Sequence, residues 1–247
     1  MADAVPSPRA DDPEPGSPGW WSTRPVAPTG PRRGRPPRSL DQIVEAATEL
    51  IDEVGPDAFS MRTLAERLGT STATLYRHVT GKDELLVYAV EHFMAGLAGV
   101  SGVAVDLPSD WKDAARTAAV LFRATLSEHP NLLPLFVVQI PIGPHGLLVR
   151  EAMLASLVHY DFTPDEAARV YTTLAHYVIG FTVQEHAAGA PGPEDTAALG
   201  RYYRSLDPAL YPATVAAADA LTSVGLDQEF LEGLDYLLDG IDRARAS

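Results

Sequence analysis

The chain has 247 residues, enough for one large domain or two modest ones, and 46% of them are hydrophobic, as in proteins that bury a core. It contains no cysteine, which excludes disulfides, thiolate zinc sites and cysteine nucleophiles. No apolar stretch approaches the roughly 20 residues that span a bilayer, and the N-terminus lacks a secretory apolar core. We therefore expect a soluble, cytoplasmic protein.

The net charge of −14 argues against nucleic acid as a partner until its distribution is considered. Residues 31–81 carry seven arginines against seven acidic residues, whereas residues 82–247 carry ten basic residues against 22 acidic ones. Four arginines precede every acidic residue of the first segment, namely Arg32, Arg33, Arg35 and Arg38. A basic patch is thus expected at one edge of the molecule, with the acidic body facing away from DNA.

Residues 1–38 are rich in Pro, Gly, Ser and Arg, which predicts a disordered extension ending in a basic arm. Trp20 and Trp21 are exceptional there, and two interpretations stand: a contact with the body or a partner, or an accident of an unstructured segment. For the arm containing Arg35 and Arg38, the alternatives are entry into a DNA minor groove and a solvated linker.

Two helices are predicted next. Apolar residues recur at helical spacing over residues 40–54, after an S-x-x-Q capping box at Ser39, and Gly55-Pro56 ends this helix. A shorter helix follows, with Ser60 as its N-cap, and stops at Gly69.

Residues 60–78 place that helix, a tight turn at Gly69-Thr70-Ser71 and another helix in sequence, which is the arrangement of a helix-turn-helix DNA-binding motif. The solvent face of the last helix carries hydrogen-bonding or small side chains and no acidic residue: Thr72, Ala73, Thr74, Tyr76, Arg77 and His78. Such a face suits a helix lying between two phosphate backbones. The alternative is an ordinary helical corner with a polar surface.

Residues 39–86 resemble the N-terminal DNA-binding domain of the tetracycline-repressor family, including its T-L-Y-x-H-V-x-x-K-x-x-L-L pattern from residue 74 onward. The resemblance implies that Thr72 and Ala73 read base edges in the major groove and that Arg62 reaches a guanine. Arg77 stands at a position that varies across the family.

The same resemblance implies phosphate contacts for four side chains that can donate hydrogen bonds, Thr74, Tyr76, His78 and Lys82. Such contacts set the register of the protein on DNA rather than its sequence preference. Two alternatives stay open: His78 bonded within the fold, and Tyr76 as a partly buried core ring.

The rest of the chain is also predicted to be helical. A helix over about 83–97, capped by Thr80 with Asp83, precedes a loop at 99–109. Later helices are expected at about 110–128, 146–160, 164–188 and 227–243, with breaks at 130–144 and 189–193. A strand over 135–140 is the alternative within one break, but an isolated strand is unstable. The sequence therefore predicts an all-α fold with a DNA-binding domain at 39–84 and a C-terminal domain at 85–247.

From about Trp111 onward the chain is similar, more weakly, to the C-terminal domain of tetracycline-type repressors. The resemblance implies a helical bundle that binds a small molecule and dimerises through its last long helices, here 164–188 and 227–243. The expected partners are therefore a second copy of the chain, a palindromic double-stranded operator and an effector of unknown identity. Effector binding would favour a conformation in which the two DNA-binding domains of the dimer no longer match the spacing of the two halves of the operator. The helix over 83–97, which joins the DNA-binding domain to the C-terminal domain, would transmit this change.

Candidate ligand-binding residues are polar or aromatic side chains in apolar settings: Phe136, Gln139, His145, Tyr160, His176, Tyr177 and Gln184. A residue of this kind, taken alone, is more often a satisfied core residue than a ligand contact. Where the family's tetracycline pocket has a histidine, this chain has Ala98, which argues against tetracycline with magnesium as the effector. No metal or other cofactor is expected.

Two other functions are weaker alternatives. An enzyme is disfavoured because the chain lacks a G-x-S-x-G elbow, an H-E-x-x-H motif, a phosphate-binding G-x-x-x-x-G-K loop and a dinucleotide fingerprint. A helical DNA-binding or interaction protein without an effector is the second alternative. A fully packed C-terminal core would favour it, whereas a cavity of several hundred Å³ would favour a ligand sensor.

Overall fold

In a computed structural model, the chain is described over residues 13–24, 39–101, 108–187 and 192–245. The helices in chain order are α1 (Pro18–Ser22), α2 (Leu40–Ala58), α3 (Met61–Arg67), α4 (Thr72–Leu75), α5 (Lys82–Ser101), α6 (Trp111–Glu128), a 3₁₀ turn (Pro130–Leu132), α7 (Leu133–Val138), α8 (Pro144–His159), α9 (Pro164–Glu185), α10 (Pro193–Ser205), α11 (Pro212–Ala216), α12 (Ala220–Ser223) and α13 (Leu226–Arg245). Every regular element in these ranges is helical, which confirms the all-α prediction.

Helix α2 shows how local sequence shapes the first element. Gly55 has φ +81° and ψ 159°, so the regular helix stops there as predicted and one further turn leads to Phe59. Ser39 is the N-cap, but its side chain makes no cap hydrogen bond, so the predicted capping box is not formed. The inner face of α2, with Ile43 and Ile51 fully buried, packs on α5.

Helices α3 and α4 form the predicted helix-turn-helix. The Ser60 hydroxyl accepts a hydrogen bond from the Thr63 N–H at 3.2 Å, and Gly69 turns the chain at φ +59°. The regular part of α4 is one turn long, and hydrogen-bonded turns continue it to Val79, whose N–H donates to the Leu75 carbonyl at 3.1 Å. Leu75 is fully buried, so the opposite face of α4 points outward.

Helix α5, here called the linking helix, joins the helix-turn-helix to the C-terminal body and packs against α2 and α8. Thr80 precedes it, and the Thr80 N–H and hydroxyl donate to Glu84 Oε2 at 2.6 and 2.7 Å. The predicted capping partner, Asp83, is therefore replaced by Glu84. The helix also continues to Ser101, three residues into the segment predicted as a loop.

The C-terminal body consists of α6 to α13, and the four long helices predicted there are present. Residues 133–138 form α7, so the strand alternative for this segment is wrong. Helices α10, α11 and α12 were not predicted. Three residues of α13 are fully buried, Phe230, Leu234 and Leu238, and Arg123 of α6 contacts the carboxylates of Glu185 and Asp227 at 2.7 and 2.8 Å.

Residues 13–24, here called the strap, correct the prediction that all of 1–38 is disordered. They form α1 and pack on the linking helix, with the Trp20 side chain only 4% exposed and its ring centroid 5.4 Å from that of Tyr88. A buried tryptophan removes about 150–250 Å² from water, which offsets the entropy cost of ordering a short segment. Of the two interpretations of Trp20, contact with the body is the one observed.

Glu84 anchors the strap and gives it a pH dependence. Burial opposes ionisation of this carboxyl, but hydrogen bonds from Thr80 and Arg24 outweigh burial and hold the Glu84 pKa below its ordinary value. A lowered pKa means that the ionised carboxylate stabilises the fold above about pH 4.5 and that this stabilisation is lost as pH falls through the lowered value.

We therefore expect Glu84→Gln to lower the melting temperature by roughly 5 °C at pH 7, because hydrogen bonds to a charged group contribute about 1.5–3 kcal/mol. The difference from wild type should shrink between pH 5 and pH 3 in thermal denaturation followed by circular dichroism. Glu151→Gln, at an exposed position of α8, is the control. An equal difference at both ends of the pH range would show that the charge of Glu84 is not the stabilising feature.

Candidate nucleic-acid interface and ligand cleft

The outward face of α4 and its following turn carries the predicted DNA-contacting side chains. Leu75 and Val79 are buried and fix the orientation of this segment. Four predicted residues are exposed, Ala73, Tyr76, Arg77 and His78, and two are half-buried, Thr72 and Thr74. Tyr76 is 38% exposed, so part of this side chain is open to solvent. The arrangement is able to present hydroxyl, imidazole and guanidinium groups to a DNA groove together.

Two further predicted residues flank this face. The Arg62 side chain is 84% exposed on α3, and its Nε donates to Glu66 Oε1 at 3.1 Å. An exposed pair at this spacing is worth only about 0.3–0.5 kcal/mol, so Arg62 is free to exchange it for a base or phosphate. Lys82 begins the linking helix, where its Nζ donates to the Asp57 carbonyl at 3.4 Å. Arg35 and Arg38, in the predicted basic arm, lie outside the described residues.

Three of the seven ligand candidates lie around the middle of the linking helix. The Phe136 ring is 5.0 Å from that of Phe93, measured between centroids. The His145 N–H and Nδ1 lie 2.6 and 2.9 Å from Glu91 Oε1. Gln139 lies in the segment between α7 and α8, which crosses the linking helix at the same level.

A cleft of about 340 Å³ opens beside these residues. Its walls come from the strap, from the linking helix and from residues 138–143, here called the crossing loop: Pro15, Gly16, Pro18, Trp21, Val87, Val90, Glu91, Val138, Gln139, Ile140, Pro141, Ile142 and Gly143. Most of these side chains are apolar, and Glu91 and Gln139 supply the polar groups, a composition typical of small-molecule sites.

The other four ligand candidates lie elsewhere. The Tyr160 hydroxyl donates to the Pro108 carbonyl at 2.5 Å, and the Tyr177 hydroxyl donates to the Phe230 carbonyl at 2.8 Å. Both hydroxyls are thus satisfied within the protein. His176 and Gln184 lie on the outer side of α9. The structure therefore brings together Phe136, Gln139 and His145 and leaves these four apart from the cleft.

Glu91 and Trp21 line the cleft but are not among the ligand-binding residues that the sequence predicts. A signal for Glu91 was present, because it is a carboxylate next to the apolar stripe of a predicted helix. Trp21 is exceptional in its Pro-rich segment, but its place in the cleft depends on contacts with residues far along the chain, which no local pattern identifies. Within the described ranges, no cluster of three or more histidine or carboxylate side chains is arranged to hold a metal ion, and no helix is long and apolar enough to cross a membrane.

A helix-turn-helix with an acid-free outer face, joined by one long helix to a helical body with a cleft, defines a DNA-binding regulator with a ligand domain. Two family descriptions match this chain in sequence: "Bacterial regulatory proteins, tetR family" over residues 43–89, and "Tetracyclin repressor-like, C-terminal domain" over residues 105–245. The chain therefore belongs to the tetR family, as its sequence resemblance predicted.

Relatives agree over most of the chain. The class A tetracycline repressor from transposon 1721 of Escherichia coli is 29% identical over 82% of this chain and 90% of its own length. An HTH-type transcriptional regulator of Saccharopolyspora erythraea is 30% identical over 85% of this chain and 86% of its own length. The structure of ActR from Streptomyces coelicolor with actinorhodin superimposes with a TM-score of 0.74 at 26% identity, covering 86% of this chain and all of ActR.

These relatives are transcriptional regulators and repressors rather than enzymes. The chain is accordingly a ligand-responsive, DNA-binding transcriptional repressor of the tetR family.

Proposed function

We propose that this repressor acts in the cytoplasm as a homodimer that binds a palindromic operator and is released when a small molecule occupies its C-terminal domain. The feature that carries the DNA-binding part is the acid-free outer face of α4. Thr72 and Ala73 would read base edges there, and Arg62 would reach a guanine from α3. The proposed phosphate contacts are those of Thr74, Tyr76, His78 and Lys82, with Arg77, Arg35 and Arg38 adding positive charge.

The surfaces of α9 and α13 support the proposed dimer. Gly180 is exposed on α9, and no atom lies within 4 Å of the position that a Cβ would take there, so a second helix is able to approach closely. On α13, Leu231 and Tyr236 are large side chains that are 40% and 73% exposed. His176 and Gln184 lie on the same outer side of α9, so ligand contact by them would occur between protomers.

The cleft supports a small-molecule effector over the alternative of a regulator without one. Phe136, Gln139 and His145 lie at or beside it, and the linking helix forms one wall. Related structures contain small molecules: ActR with actinorhodin, and a TetR variant of Acinetobacter baumannii AYE with minocycline, at 26% identity and TM-score 0.63. We propose an organic effector recognised mainly by apolar contact, because the cleft walls are mostly apolar. The DNA-binding domain, here called the reading head, would be residues 39–84. Residues 85–247 would bind the effector and form the dimer.

The test is binding of the purified protein to DNA upstream of its own coding region, titrated in salt, beside a scrambled duplex and an Arg62→Ala/Tyr76→Phe variant. We expect selective binding whose affinity falls steeply with salt and drops a further 10- to 100-fold in the variant, since good base contacts contribute about 1–3 kcal/mol. Binding that ignores sequence, both here and in a genome-wide selection of fragments, would contradict the proposal.

A further inference from the structure

The strap lies outside both family matches, which cover residues 43–89 and 105–245. It nevertheless packs tightly on the linking helix. Trp20 is buried against Tyr88, and Gly16, at φ +85°, lies so close to Val87 that a Cβ at this position would be 3.0 Å from the valine Cγ2. Close backbone approach of this kind indicates a fitted contact rather than a chance one.

Arg24 ends the strap and ties it to the start of the linking helix. Its Nη2 donates to Glu84 Oε1 at 2.9 Å, its Nε donates to the Tyr88 hydroxyl at 3.2 Å, and its guanidinium lies 3.4 Å from the centroid of a Trp20 ring. Glu84 is nearly fully buried and at the same time binds Thr80, two residues after His78 of the reading head. The strap is thus connected to the point where the reading head joins the linking helix.

The strap also reaches the C-terminal body. Trp21 packs on the crossing loop so closely that a Cβ at Gly143 would be 2.7 Å from its Cζ2. Beside that contact, Glu91 accepts a hydrogen bond from the His145 N–H and contacts the His145 ring at the start of α8. The strap therefore contacts both the first two turns of the linking helix and the crossing loop.

We propose that the strap is a regulatory brace, which holds the linking helix against the crossing loop in the orientation that binds the operator. This inference rests on the proposed function, because it concerns how the ligand cleft controls DNA release. A molecule in the cleft would push on strap, helix and loop together, since all three form its walls. By thermodynamic linkage, operator binding stabilises the strap contacts to the extent that those contacts stabilise operator binding.

The first measurement is operator affinity as a function of salt for Arg24→Ala and Trp20→Ala, with Ser22→Ala as control. The Ser22 hydroxyl is exposed and bonds to the Gly19 carbonyl within the strap. We expect affinity to fall 5- to 20-fold in the first two variants and less than 2-fold in the control. The salt slope should not change, because Arg24 contacts Glu84 rather than phosphate, whereas loss of a phosphate contact would reduce it by about 0.9.

A reduced slope for Arg24→Ala would overturn the brace and make Arg24 a DNA-contacting residue. Affinities equal to wild type in both variants would overturn it as well.

Coupling between Arg24 and Glu84 is checked with the double variant Arg24→Ala/Glu84→Gln. Its loss of affinity should be clearly smaller than the combined losses of the two single variants, because both substitutions remove the same contact.

Hydrogen exchange of the DNA-free protein separates the brace from the proposed function. In Trp20→Ala we expect faster exchange over residues 84–91 and 139–146, while exchange in α13 stays unchanged. Unchanged exchange in the first two segments would overturn the brace even if the protein binds its operator. Wild-type protein that binds no selected DNA would contradict the proposed function, and the exchange result would still decide whether the strap holds the linking helix.

Discussion

Replacing Ala73 by Asp should abolish measurable operator selectivity, with affinity reduced by more than about 100-fold, while the protein remains folded. Ala73 is exposed at the second position of α4. A carboxylate there is favoured by the helix N-terminus, so the fold is not expected to lose stability. In the major groove, the same carboxylate would lie between two phosphate backbones, where unfavourable charge contacts cost several kcal/mol.

The matched control for this substitution is Ala213→Asp, the same replacement at the exposed second position of another short helix, α11. Fluorescence anisotropy with operator DNA should show normal affinity for the control, and thermal denaturation should show similar stability for both variants. Normal affinity of the Ala73→Asp protein would mean that α4 does not enter the groove.

Replacing Gly180 by Arg should convert the dimer into a monomer and reduce operator affinity by at least about 100-fold. No neighbouring atom obstructs a side chain at this position of α9, so the protomer is expected to accept the arginine. Removing a glycine from a helix interior even favours the helix by up to about 1 kcal/mol. A second protomer packed on this face would meet a long charged side chain, and loss of the dimer would remove the multivalent gain from two linked half-sites.

Gly96→Arg provides the control, because Gly96 also lies within a helix, the linking helix, and also has open space around its Cβ position. Light scattering after size-exclusion chromatography should give a dimer for Gly96→Arg and a monomer for Gly180→Arg. A dimeric Gly180→Arg protein would place the interface on a different surface.

Helix caps, turn glycines and apolar periodicity in the sequence predicted the elements whose formation depends on neighbouring residues. The capping serine at 60 and the positive φ of Gly69 define the helix-turn-helix, and both are determined by short stretches of chain. The long helices of the body followed from apolar periodicity in the same way. Short helices such as α11 and α12 were missed because four or five residues are too few to show a helical period.

The sequence by itself therefore determined the all-α class, the helix-turn-helix and the family, because caps, turns and periodicity act over a few residues. Only the tertiary structure decided the strap and the cleft. The composition around Trp20 predicts disorder, and the segment is ordered by contacts with Glu84 and Tyr88, some 60 residues further along the chain. Tyr160 and Tyr177 show the converse, because their hydroxyls are satisfied by distant carbonyls that no local pattern reveals. Polar groups in apolar surroundings look alike in a sequence, and long-range packing alone determines which of them remain available to a ligand.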